Sequence, residues 1–169
     1  MKILKLIIGS FIALVGIITI ISLFIPSHVQ ISKAVEVMTE KDSVIQQLAD
    51  PLQWHHWYPA EDSIKVFYVE GKPKGIIVND FKLEITGVFT NAVAAKYSSL
   101  EKTKEMQTTW KLVPAQTSVA VEWSMDFHFR WYPWEKFSSL LLEKRYGPVM
   151  EKGLNNLKTY LELNRSSKK

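Results

Sequence analysis

No cysteine occurs among the 169 residues. That excludes a disulfide framework, a thiolate metal site and a cysteine nucleophile, and it suits an oxidising compartment without requiring one. Histidine is nearly as scarce, with four residues, two of them adjacent at His55 and His56. Neighbouring positions on a helix diverge by about 100°, so this pair does not converge on one ion, and no H-x-x-x-H, H-x-H or carboxylate spacing repairs that. No metal site and no cofactor are expected. No glycine-rich loop precedes a helix to cradle phosphate, and no serine carries the glycine pattern of a nucleophile elbow. Asp126 and His128 share a strand face, but Glu122, Ser124 and Arg130 share it too, so the face reads as solvated and not as an acid–imidazole dyad. No catalytic constellation emerges.

Acidic residues are missing from the first 28 positions, which hold Lys2 and Lys5; the remainder carries 19 basic and 17 acidic residues, a net of +2. That balance excludes a nucleic-acid module, since the one basic cluster, Arg165 to Lys169, lacks interleaved aromatics. It reads as a solvated end, with contact to anionic head groups as the alternative. Charge is absent altogether from Leu6 to Ile25, LIIGSFIALVGIITIISLFI, where only Ser10, Thr19 and Ser22 are polar. A helix of that length rises about 30 Å, the thickness of a hydrocarbon core. The run is longer than the core of a secretory signal and ends Leu23-Phe24-Ile25-Pro26 without small residues spaced for cleavage, so it reads as an uncleaved single-pass signal anchor. Lys2 and Lys5 are nearly balanced by Lys33 and Lys41 beyond the span, but the nearest positive charge is N-terminal, which favours an inside N-terminus and an extracytoplasmic domain. Gly9, Ala13 and Gly16 form a small-residue stripe; glycine is common in membrane helices, so the stripe is read as ordinary, with a homodimer through this helix as the alternative. The length leaves room for one domain with a substantial core. The expected division is an anchor over 1–26, a folded domain over 27–163 and a basic tail over 164–169.

Within that domain, strands precede helices. Val29, Ile31, Val35 and Val37 recur at period two, with Lys33 the exception on their face. A short helix over Ser43 to Ala49 follows, and Asp50-Pro51 breaks it and opens another that enters WHHWYP at Trp54 to Pro59. Short strands are expected near Ile64 to Val69, Ile76 to Val78, Leu83 to Phe89 and Ala92 to Ser99, with Gly71-Lys72-Pro73-Lys74-Gly75 among the turn signals. Then Met106, Thr108, Trp110 and Leu112 share one strand face, and Val119, Val121, Trp123, Met125, Phe127 and Phe129 share the next. Polar residues fill the opposite faces, so one side of the sheet is buried and one wet. The cover is expected from the C-terminal segment, where Phe137, Leu140, Leu141, Val149, Leu154, Leu157, Tyr160 and Leu161 recur at helical spacing. Gly147-Pro148 interrupts it and predicts a kink or two consecutive helices. The fold class is α+β, a curved antiparallel sheet of about six to seven strands wrapped around a long C-terminal helix.

This order of elements resembles the SRPBCC or START-like helix-grip superfamily, and more closely its membrane-anchored bacterial members of the polyketide cyclase/dehydrase type. Three stretches carry the resemblance, which runs from about Val29 to Leu161. VQISKAVEV, Val29 to Val37, is similar to the first strand with its basic residue at Lys33. Trp54, Trp57 and Pro59 match a W-x-x-W-x-P pattern, followed by the acidic pair Glu61-Asp62. Tyr132-Pro133-Trp134 with Tyr146 to Lys158 resembles the last helix, including its G-P-x-x-E-K-G-L-x-N-L-K run.

The resemblance implies a cavity between helix and sheet that, in many relatives, takes up a hydrophobic or amphipathic molecule. It implies no single reaction, because this fold hosts carriers, cyclases, hydrolases and binding modules. Trp57, Tyr58, Tyr97, Thr108, Trp110, Trp123, Met125 and Phe127 are the candidate cavity-lining residues, although large apolar side chains fill cores by default. Thr108 and Tyr97 are the polar handles that face inward. The expected function is a membrane-tethered module that binds a hydrophobic small molecule or lipid without catalysis. The alternatives are a polyketide cyclase/dehydrase-like or hydrolase-like enzyme and a structural or protein-interaction domain with a filled core. In WHHWYP, Trp54 and Trp57 stand three apart and share a face that pins the helix over the sheet, the histidines point to solvent, and Tyr58 lies near the cavity mouth.

Overall fold

The structure is a computed structural model that describes residues 2–60, 63–99 and 105–166. Glu61-Asp62 and the last three residues of the basic tail lie outside the described residues. Helix α1 (Lys2–Leu23) is long and apolar enough to cross a membrane by length and composition. Its chain then turns directly into β1 (His28–Val37). Helix α2 (Lys41–Ala49) and a 3₁₀ turn (Pro51–His56) follow. Strands β2 (Lys65–Val69), β3 (Lys72–Val78), β4 (Phe81–Phe89), β5 (Ala92–Ser99), β6 (Glu105–Pro114) and β7 (Val119–His128) lead to α3 (Pro133–Ser139) and α4 (Leu142–Ser166).

The seven strands form one antiparallel sheet in the order β1-β7-β6-β5-β4-β3-β2. Strand β1 therefore forms one edge of the sheet and pairs with the last strand, His28 opposite His128 and Val37 opposite Val119. The alternation expected for β6 and β7 holds: Thr108, Trp110 and Leu112 are buried, as are Val119, Val121, Trp123, Met125, Phe127 and Phe129. One outward residue departs from it. Ser124 is buried, its hydroxyl donating to the Thr109 carbonyl of β6. This sheet and the long helix across its inner face are the helix-grip α+β arrangement.

Three local expectations need correction. The turn between β2 and β3 is confined to Glu70 and Gly71, both at positive φ, and Lys72 to Gly75 already belong to β3. Pro73 is tolerated there because it pairs with Tyr68 of β2 and lies beyond the β3–β4 ladder, which begins at Gly75. The residues after Asp50-Pro51 form a 3₁₀ turn, started by the Asp50 carboxylate accepting from the Leu52 N–H at 2.9 Å. The C-terminal segment divides at Leu140-Leu141 and not at Gly147-Pro148, and α4 runs through Pro148. That division resets the helical phase. Leu142, Met150, Leu154, Leu157 and Leu161 are buried, while Leu140, Leu141 and Val149, expected in the stripe, are exposed.

Candidate functional site

The WHHWYP segment and α4 grip each other through complementary shapes. Trp54 and Trp57 are 0% and 1% exposed. The Trp57 ring meets Trp54, Trp110 and Trp123 edge-on, with centroids 5.9, 6.0 and 6.4 Å away, geometries that aromatic quadrupoles favour. The Trp54 indole N–H donates to the Leu48 carbonyl, which ties the 3₁₀ turn to α2. Asn156 of α4 donates to the Trp57 carbonyl at 3.2 Å. Gly153 lies so close to this cluster that a Cβ there would stand 2.7 Å from Trp123 and 2.9 Å from Pro59. Lys33, the polar exception on the inner face of β1, reaches α4 and pairs with Glu143 at 2.6 Å and Glu151 at 2.8 Å. Hydrogen bonds to Glu143 and then Glu151 raise its pKa. Lys33, Trp54, Trp57, Pro59 and Gly153, among the residues that carry the family resemblance, thus supply contacts that seat the helix.

The two histidines lie on the exposed side of this fastening. Their rings lie 3.7 Å apart between centroids although adjacent positions on this 3₁₀ turn diverge by about 120°. His56 also stacks on Tyr160 of α4 at 4.6 Å. Desolvation there, and then the neighbouring His55, lower its pKa. Among the described residues no group of three or more His, Asp or Glu is arranged to hold a metal ion.

Beyond the tryptophan cluster, toward the end of the domain that joins α1, the space beside the start of α4 is not filled. A cavity of about 670 Å³ opens between the ends of β4, β5, β6 and β7 and the corner from α3 to α4. Phe81, Met106, Phe127, Phe129, Leu142 and Tyr146 line it. Asp80, Glu105, Lys144 and Arg145 also bound it and are exposed, which makes them its rim. The Arg145 guanidinium lies 5.5 Å from the centre of the Tyr146 ring.

Of the eight expected lining residues, Phe127 stands in this wall, 5.0 Å from Tyr146 between ring centroids. Tyr97 lies beside it, stacked on Phe81 at 4.9 Å. Burial, and then Tyr146, raise the pKa of its hydroxyl. Trp57, Trp110 and Trp123 pack on one another in the core, with Trp110 and Trp123 5.3 Å apart. Met125 is buried on the same face of β7. The Thr108 hydroxyl accepts from the Trp123 indole at 2.7 Å and donates to the Ser124 carbonyl, so it holds the core together. Tyr58 sits in the tryptophan cluster, 6.0 Å from Trp123, and burial raises the pKa of its hydroxyl too. The wall residues outside the expected set include Met106 and Phe129, which stand on the inner faces already read from alternation. The missing signal was which end of the sheet the helix leaves uncovered.

A second cluster escaped the sequence reading. His28 at the start of β1 approaches Asp126 at 3.2 Å, and its ring stacks on His128 at 4.5 Å. Asp126 and His128 therefore meet a third group from across the ladder, on the partly exposed outer face of the sheet.

The sequence profile of the family described as "Polyketide cyclase / dehydrase and lipid transport" matches residues 28–162. Comparison with curated protein sequences gives no match. Several solved structures share the fold. A START superfamily protein from Mycobacterium smegmatis is 16% identical, with a TM-score of 0.61, over 79% of this chain and 97% of its own. Ginseng major latex-like protein 151 from Panax ginseng is 13% identical, with a TM-score of 0.59, over 80% and 99%. The di-domain ARO/CYC StfQ from the steffimycin biosynthetic pathway is 10% identical, with a TM-score of 0.61, over 82% of this chain and 52% of its own.

Proposed function

The chain belongs to the polyketide cyclase/dehydrase and lipid transport family, and on that premise we propose that it is a membrane-tethered domain that binds a hydrophobic small molecule or lipid between sheet and α4. The observation that carries this reading is the cavity of about 670 Å³, walled by Phe81, Met106, Phe127, Phe129 and Leu142. Its volume falls within the roughly 300–1,000 Å³ of small-molecule sites, and its wall is apolar with polar groups gathered at the rim, as an amphipathic guest requires. Tyr146 in the same wall carries a hydroxyl.

Catalysis has less support. Every described Asp, Glu and His is at least partly exposed, whereas an acid–base residue tuned for chemistry is expected inside the cavity with a perturbed pKa. Retention of α1 as an anchor is supported by its built-in seat on the domain: the Lys136 ammonium donates to the Ile25 carbonyl and the Ser27 hydroxyl, both at 2.6 Å, and the Phe129 N–H donates to the Ser27 carbonyl.

Binding is tested on the full chain in lipid nanodiscs, by native mass spectrometry and by titration with a dansyl-labelled fatty acid. A retained apolar molecule, or saturable blue-shifted dansyl emission at one equivalent, is the expected result. An empty protein with no saturable dansyl signal would overturn the reading.

A further inference from the structure

We propose that the α3 corner is a second membrane contact, seated in the interfacial layer beside the point where α1 leaves the bilayer. It presents an unusual surface for a folded domain. Trp131 and Trp134 are 63% and 68% exposed, and Leu140 and Leu141 are 65% and 64% exposed. The aromatic side chains form a continuous cluster, Trp131 tilted against Tyr132 and Tyr132 stacked on Trp134, each at 4.9 Å between ring centroids. A large apolar surface rimmed by charge is either covered or wet at a penalty, and the position of this one identifies its cover.

Helix α3 packs against the end of α1. Ser22 of α1 is fully buried although nearly all of that helix is exposed, and Lys136, itself 5% exposed, binds the carbonyl of Ile25, the last apolar residue of the span. The bond fixes the depth of α3 at the level where hydrocarbon gives way to head groups. Tryptophan and tyrosine concentrate at that depth in membrane proteins, apolar body inward and polar edge outward. Arg130, Lys144 and Arg145 flank the same corner and are exposed, so they can meet lipid phosphates. Ser138, Leu141 and Leu142 belong both to this corner and to the cavity wall. Seating it in the interface therefore turns the cavity mouth toward the lipid, and a guest can pass between bilayer and cavity without crossing water.

This inference rests on the reading of α1 as an anchor, and one preparation separates the two. Four of the six tryptophans, Trp54, Trp57, Trp110 and Trp123, are at most 1% exposed and α1 contains none, so a quencher confined to lipid reports on Trp131 and Trp134. The full chain is reconstituted in vesicles of phosphatidylcholine brominated near the head-group end of its acyl chains, washed with alkaline carbonate and floated. The expected result is flotation with partial quenching by the brominated lipid. W131F/W134F should float equally and lose that quenching, and aqueous acrylamide should affect the wild-type protein little. Failure to float overturns both the anchor and the docked corner. Flotation with acrylamide quenching and no bromine quenching overturns the docked corner alone.

Discussion

Trp57 touches three other indoles and lends its carbonyl to α4, so its removal opens a void where sheet, turn and helix meet. Trp57→Ala should lower stability by about 3–5 kcal/mol, read from thermal or urea unfolding of the full chain in detergent. Replacing both His55 and His56 with Gln should shift it by no more than about 0.5 kcal/mol, because those rings lie on the surface. Equal shifts for the two variants would show that the tryptophan pair is not the fastening. His56 has a separate signature in pH. Its folded-state pKa lies below the ordinary 6.5, so above that value both states hold it neutral and it contributes nothing. As the pH falls below about 6.5 the unfolded chain takes up the proton first, and the fold loses stability until the lower folded midpoint is passed. An NMR titration should place the His56 midpoint below 6.5; a midpoint at or above it would refute the stacked, partly desolvated ring. Both tryptophans were legible from their spacing. The stack of His56 on Tyr160 was not, because it joins residues about a hundred positions apart.

At the scale of elements, the grip of α4 depends on the absence of a side chain. Gly153 leaves no room for Cβ between Trp123 and Pro59, and neither a packed indole nor a proline ring yields cheaply. Gly153→Ala should destabilise by about 1–3 kcal/mol and should change the near-UV circular dichroism of the tryptophan cluster. An unchanged melt and spectrum would mean that the helix is loosely seated. A helix this closely applied also tolerates Pro148. The proline cannot donate to the Lys144 carbonyl, but Lys144 is exposed near the helix start, where water can serve that carbonyl. The periodicity of β6 and β7 made their buried faces legible, since a strand's two sides are fixed by alternation alone. The stripe on α4 was legible only in part. The chain reverses its phase at Leu140-Leu141, and nothing in the local pattern marked those leucines as outward-facing.

For the whole molecule, the division of labour along the helix matters most. Its middle is packed by Pro59 and the tryptophans, Lys33 ties it to β1 through Glu143 and Glu151, and the cavity opens beside its first turns toward β4, β5 and β6. Met106→Trp should fill that space from a half-buried position on β6 while the remote tryptophan cluster keeps its packing. The variant is expected to lose dansyl fatty-acid binding at least tenfold with a native near-UV spectrum. Unaltered binding would move the guest to another part of the molecule. The cavity mouth, the exposed tryptophans of the α3 corner and the end of α1 all lie at one end, so the proposed anchoring and the proposed uptake share one geometry.

Local rules were enough to determine the apolar span, the alternating strands and the helical C-terminal segment, while the spacing of Trp54, Trp57, Pro59, Gly147 and Gly153 carried the resemblance that implied the helix-grip fold. These features depend on the chemistry of neighbours a few residues apart. Only the tertiary structure decided that Thr108 serves Trp123, that His28 reaches Asp126, that Lys136 holds the Ile25 carbonyl and that the cavity opens beside Phe127 and not among the tryptophans. Each of these is a meeting of distant segments, set by strand register and by how far a helix stands from a sheet, quantities that no local pattern encodes.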